Sequence, residues 1–113
     1  MDIRLVLVTF PDFETAREIG TQMVNLQLAA CVNLIPGATS IYRWDGEVRE
    51  ETEVLAIFKT TADALDTFEA ALVAAHPYDV PEVLALRPES VHVGYAEWLR
   101  SSIALSSEKT RQK

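Results

Sequence analysis

Cysteine is almost missing from this sequence: Cys31 stands alone. No intrachain disulfide can form, which suits a reducing cytoplasm. Basic residues are scarce as well. Lysine and arginine together number 10 against 17 aspartates and glutamates, a formal charge of −7. That balance excludes the clustered basic surface nucleic-acid binding requires. No apolar run reaches the roughly 18 residues of a membrane-spanning helix. The opening "MDIRLVLVTFPDF" has an acidic second residue and no small-residue cleavage site, so it reads as a strand, not a signal peptide. With only 4 glycines there is no G-x-S-x-G, P-loop or G-x-G-x-x-G, and no enzymatic activity is expected.

What remains is an ordinary globular composition, 49% apolar over 113 residues, enough for one core. A single domain is expected over 1–105, with the polar 106–113 as a disordered tail. "IRLVLVTF" is a first strand ended by Pro11. Asp12 suits an N-cap, and Ala16, Ile19, Met23, Leu26 and Ala30 recur at helical spacing, predicting a helix over 12–29. "CVNLIPGATSIYRW" reads as extended, bent at Pro36-Gly37, and Asp45-Gly46 marks a two-residue hairpin turn. After the return strand, Asp63 opens a second helix with Leu65, Phe68, Leu72 and Ala75 on one face, and Pro77 closes it. "EVLAL" is a fourth strand, and Tyr95, Trp98, Leu99 and Ser102–Ile103 belong to a last short helix. The order β-α-β-β-α-β plus a helix predicts an α+β, ferredoxin-like antiparallel sheet with both main helices on one face.

The second face of such a sheet is normally wet, and its strands alternate. Here "LVLV", "VLAIF" and "VLAL" are apolar on both faces. One chain covers only one side, so another copy is expected to cover the other. The strand from Glu47 to Thr60 would run roughly 46 Å at about 3.3 Å per residue. A domain of this length is only about 34 Å across, so the hairpin carrying Ile41, Tyr42 and Trp44 should overhang onto a neighbouring subunit.

"LAACVNLIPGATSIYRWDGEV", "EVLAIFKTT" and "HPYDVPEVLAL", in that order and without large gaps, closely resemble the CutA family of divalent-cation tolerance proteins. The resemblance runs from about Ile3 to Ile103. It implies a PII-like homotrimer of ferredoxin-like subunits, a cytoplasmic location, a role in tolerance of copper and other divalent metals, and no established enzymatic activity. The family's proposed copper ligands are a first-strand cysteine and a pair of adjacent histidines. At those positions this chain has Val8 and Ala75-His76, so only His76 is retained. A single imidazole does not make a tight copper site.

His76, one of 2 histidines, stands where Pro77 ends a helix. Its ring either caps that helix's carbonyls or meets a metal ion. Cys31 is a small buried hydrophobe or a soft-metal ligand. Tyr42, Trp44, Lys59, Tyr78 and Glu82 are candidates to line a cleft between subunits, with Asp79 close to His76. An acid–base pair of His76 with Asp79 or Glu82 rests on proximity alone. Glu47, Glu50, Glu51 and Glu53 lack calcium-loop spacing and read as a solvated face that keeps the arm soluble or pairs with Arg43 and Arg49; His92 reads as a surface group. The function expected is a trimeric metal-responsive binding protein, with a PII-like small-molecule sensor or interaction hub as the alternative.

Overall fold

The computed structural model describes residues 3–104; the tail expected at 106–113 lies outside the described residues. Along the chain come β1 (Ile3–Phe10), α1 (Phe13–Asn25), β2 (Cys31–Trp44), β3 (Glu47–Thr61), α2 (Ala62–Ala75), β4 (Val83–Leu86) and α3 (Val93–Ser101). All strand pairs are antiparallel, in the order β2-β3-β1-β4. This is the ferredoxin-like sheet the sequence predicts.

Asp12 caps α1, its Oδ1 accepting the Thr15 N–H at 2.8 Å. That backbone bond, more than any other influence, holds the Asp12 carboxyl below its ordinary value. The helix ends earlier than its apolar spacing suggests. Gln27 adopts a φ of 60°, Leu28 N–H donates to Met23 O and Gln27 N–H to Val24 O, each at 3.0 Å. This is a Schellman closure with glutamine in the usual glycine position. Leu26 is consequently left 51% exposed instead of joining the core. The start of α2 also differs from expectation: the cap is Thr61, whose Oγ1 accepts the Ala64 N–H at 3.4 Å, and not Asp63. Its last residue, Ala75, faces solvent.

Val6, Val8, Phe10, Ala56 and Phe58 point to the helix side and pack against Ala16, Ile19, Met23, Phe68 and Leu72. α3 seals one end of the sheet by burying Leu99 against Ile3, Ala30 and Ala64. On the opposite face Leu5, Leu7, Leu55 and Ile57 form an apolar floor, flanked by Ile35, Leu84 and Leu86, which are 45%, 53% and 45% exposed. Among the described residues no helix packs over these side chains.

One irregularity decides which side chains the long hairpin presents. Ile35 pairs with Leu55, but Ala38 pairs with Glu53, so β2 holds one residue more than β3 across that step. Strand side chains alternate with a period of two, and one extra residue therefore inverts the faces. Before the bulge Cys31, Asn33 and Ile35 share the floor side; after it Ser40, Tyr42 and Trp44 do. Gly37 absorbs the distortion at a φ of 82°. The hairpin then turns through Asp45 and Gly46, with φ of 56° and 78°, the positive pair that a two-residue turn demands. The arm gives the molecule a longest dimension of 49 Å.

Candidate functional site

A cleft of about 730 Å³ opens between the inner face of the β2–β3 arm and the loop at 77–82. The arm contributes Tyr42, Trp44, Arg49, Glu51 and Glu53, and the loop contributes Tyr78, Asp79 and Glu82. Arg49, Glu51 and Glu53 lie on one side of β3 because they alternate, and the bulge brings Tyr42 onto that same side, opposite Arg49. The loop is held by its prolines: Pro77 keeps His76 extended at φ −72° and ψ 139°, where the helix must stop.

Glu53 forms the buried end of the cleft at 8% exposure. Its Oε2 accepts the Tyr78 hydroxyl at 2.6 Å. Burial first, and then that carboxylate, push the Tyr78 phenol above its ordinary value. Tyr42 is displaced the same way, by desolvation and then by Glu51. Arg49 stands 3.9 Å from Glu47.

His76 lies just behind this cleft. Its Nδ1 accepts the Tyr78 N–H at 3.0 Å, so the ring proton belongs on Nε2, which donates to Thr9 O at 2.8 Å. Phe10 stacks on the ring with centroids 4.7 Å apart. The imidazole thus turns away from the carbonyls of its own helix and ties the end of α2 to β1. Metal coordination by either nitrogen would have to break one of these bonds.

Cys31 and Lys59 sit elsewhere. They face one another across β2 and β3, level with Leu5, whereas His76 reaches Thr9. Four strand positions separate the two levels, roughly 13 Å. Lys59 Nζ donates to Asn33 Oδ1 and to Cys31 Sγ, the latter at 3.6 Å. Tyr95 is close by, its phenol raised by burial and then by Cys31. Of the expected cleft residues Tyr42, Trp44, Tyr78 and Glu82 come together, and Lys59 does not. Cys31 and His76 cannot share an ion within one chain. Among the described residues no three His, Cys, Asp or Glu side chains converge in a metal-binding arrangement.

Glu53 corrects the sequence reading, which places it in a solvated acidic face: it is buried. Its signal was its place at the inner end of the alternating set Arg49, Glu51, Glu53, where the arm rejoins the apolar floor. A carboxylate there is buried, while those farther out are wet.

Comparison with known proteins agrees with this architecture. Residues 4–102 match the family described as CutA1 divalent ion tolerance protein. The divalent-cation tolerance protein CutA of Thermus thermophilus is 47% identical over 98 residues, covering 87% of this chain and 95% of that protein. Its solved structure superposes with a TM-score of 0.88 over 90% of this chain and 99% of the other, at 45% identity. CutA1 from Oryza sativa gives a TM-score of 0.91 at 39% identity, over 94% and 97% of the two chains. The rice chloroplastic protein CutA 1 is 41% identical across 87% of this chain, which spans only 55% of that protein's length. A structure from Archaeoglobus fulgidus, described as the periplasmic divalent cation tolerance protein CutA, superposes at 0.87 with 26% identity, over 90% and 99% of the two chains. With the family matched along almost the whole described length, the chain belongs to the CutA1 divalent ion tolerance family.

Proposed function

We propose that this chain acts as a homotrimeric divalent-cation tolerance protein in the cytoplasm, binding its ligand without an enzymatic step. The uncovered apolar floor carries this reading. Leu84 and Leu86, at 53% and 45% exposure, border four further aliphatic side chains that no helix among the described residues shields. Each Å² of such surface removed from water contributes about 25 cal/mol, so a second copy is the natural cover. The number three follows the family resemblance; the need for a partner follows from the face. The free Cys31 suits a reducing compartment, and fractionation of the producing cells tests that placement.

Copper or another divalent ion is the expected cargo, but the pair His76 and Cys31 does not fit it within one chain. We therefore assign any such ion to donors shared between subunits. Light scattering and calorimetry test both halves. The expected mass is three times 12.6 kDa, with saturable heat on adding Cu²⁺, Cu(I) or Zn²⁺ to the metal-free protein. A mass of 12.6 kDa for folded material overturns the assembly, and no binding tighter than about 10 μM overturns the metal role.

The cleft favours a second reading, a PII-like sensor of a small molecule. Its volume of about 730 Å³ falls in the range of roughly 300–1,000 Å³ usual for such ligands. A thermal-shift screen in which organic ligands stabilise the protein and metals do not would support it.

A further inference from the structure

We propose that Asp45 is a covalent modification site. Its carboxyl group closes on the Gly46 amide nitrogen to a succinimide, and water reopens that ring to isoaspartate, which lengthens the backbone at the arm's tip by one methylene. The modification needs no ligand and stands apart from the metal and sensor readings.

The turn supplies the nucleophile. The last pair of the β2–β3 ladder is Trp44 with Glu47, which leaves the Gly46 N–H outside it. Among the described residues no turn or loop hydrogen bond holds that group. Gly46 has no side chain to shield its nitrogen, and a Cβ built there would meet nothing within 4 Å. The turn supplies the electrophile as well. Asp45 is exposed, and among the described residues no ion pair engages its carboxyl group. Its φ of 56° is a left-handed conformation that an L-residue adopts at a cost. Opening the tip relieves that cost, and such exposed ends of a ladder open most readily.

The other described aspartates lack this combination. Asp12 is tied to the Thr15 N–H. Asp63 and Asp66 lie within α2, where ring closure would have to break the helix. Asp79 precedes Val80, whose β-branched side chain crowds the nitrogen that would attack.

The steps balance without an oxidant or a second reactant. The Gly46 nitrogen bonds to the Asp45 Cγ and releases its proton, and a carboxyl oxygen leaves as water. Water then adds at the main-chain carbonyl of Asp45 and breaks its bond to the Gly46 nitrogen, so the chain runs on through Cγ. Two residues at positive φ close this hairpin. Isoaspartate breaks that pair, and Trp44 and Glu47 lose their register.

Mass spectrometry on the native full chain, held at neutral pH, tests this. Trypsin releases residues 44–49; the isoaspartyl form keeps the mass, elutes separately and accepts a methyl group from an isoaspartyl carboxyl methyltransferase. That form is expected to accumulate in the wild type and to fall severalfold in Gly46→Asn, which tolerates positive φ but crowds the nitrogen. Asp45→Asn should convert faster, because ammonia leaves more readily than water. Peptides carrying Asp63, Asp66 or Asp79 should stay unchanged over the same period. A folded protein that stays unmodified while the free peptide 44–49 converts overturns the proposal, since the fold or a neighbouring copy then seals the tip. Equal conversion at Asp79, or a rate unmoved in Gly46→Asn, overturns it too.

Discussion

The Tyr78 hydroxyl donates to Glu53 Oε2 at 2.6 Å, joining the loop before β4 to a strand 25 residues away in sequence. Each partner is held from behind by something different. Tyr78 follows Pro77, and its backbone N–H is fixed on His76 Nδ1. Glu53 sits where β3 leaves the apolar floor, directly across from Ala38, the residue that resumes the pairing after the bulge. The bond therefore joins two separately built walls into one cleft.

Removing the donor should leave the Glu53 carboxylate buried and short of a partner. We expect Tyr78→Phe to lower unfolding stability by about 1–3 kcal/mol, read from urea midpoints. Glu53→Gln keeps an acceptor oxygen for the phenol and should cost less. A negligible loss in Tyr78→Phe would show that the phenol ring, and not its hydroxyl, holds the loop.

The same contact predicts alkaline behaviour. Burial and the neighbouring carboxylate raise the Tyr78 phenol above its ordinary value of 10.0. Above that pH the unfolded chain releases the proton while the folded chain retains it. The stabilisation is thus complete below pH 10.0 and is lost as pH rises towards the folded value. Tyr42 and Tyr95 are raised too, so Tyr78→Phe should reduce the alkaline slope of the denaturation midpoint without abolishing it. A slope unchanged by the substitution would separate Tyr78 from the effect.

Much of this fold was legible because local signals and the global arrangement agree. Asp45-Gly46, Pro77 and the twice-apolar strands each name one backbone outcome. What stayed hidden depends on contacts between distant segments. Gln27 closes α1 in a conformation that glycine normally supplies, so sequence spacing carried the helix too far. His76 was weighed as a helix cap or a ligand, because nothing local reveals that Thr9, 67 residues distant in sequence, accepts from its ring. Lys59, expected in a cleft between subunits, stands opposite Cys31 in the register and outside the cleft that one chain forms. Glu53 looked like one member of a solvated acidic run until the strand pairing showed where the run meets the floor.

His76 supplies a test that separates structure from metal. His76→Phe keeps an aromatic ring for Phe10 to stack on but strands Thr9 O and the Tyr78 N–H. The expected loss is about 1–3 kcal/mol, and it should be the same with and without Cu²⁺ present. A wild-type protein that copper stabilises strongly, beside a variant it does not, would instead put the imidazole on the metal.

Gly37 tests the bulge. A Cβ there would meet nothing within 4 Å, so any penalty comes from the φ of 82° alone. Gly37→Ala should cost about 1–2 kcal/mol, the usual penalty for a side chain in left-handed backbone. Hydrogen exchange should rise first in the arm beyond Ala38, while β1 and α2 stay protected.

Leu84 tests the assembly at its weakest assumption. It lies on the floor beside Leu7 and is 53% exposed in the single chain, so an aspartate there disturbs no packing within the subunit. Closed against another copy, the same aspartate would be an unpaired charge in an apolar interface, the kind of change that costs several kcal/mol. Leu84→Asp should therefore yield a folded protein, with its far-ultraviolet dichroism kept, whose scattering mass falls to 12.6 kDa. If the mass stays at three times that value, the floor is not where the subunits meet, and the cover for these leucines must be sought in another partner.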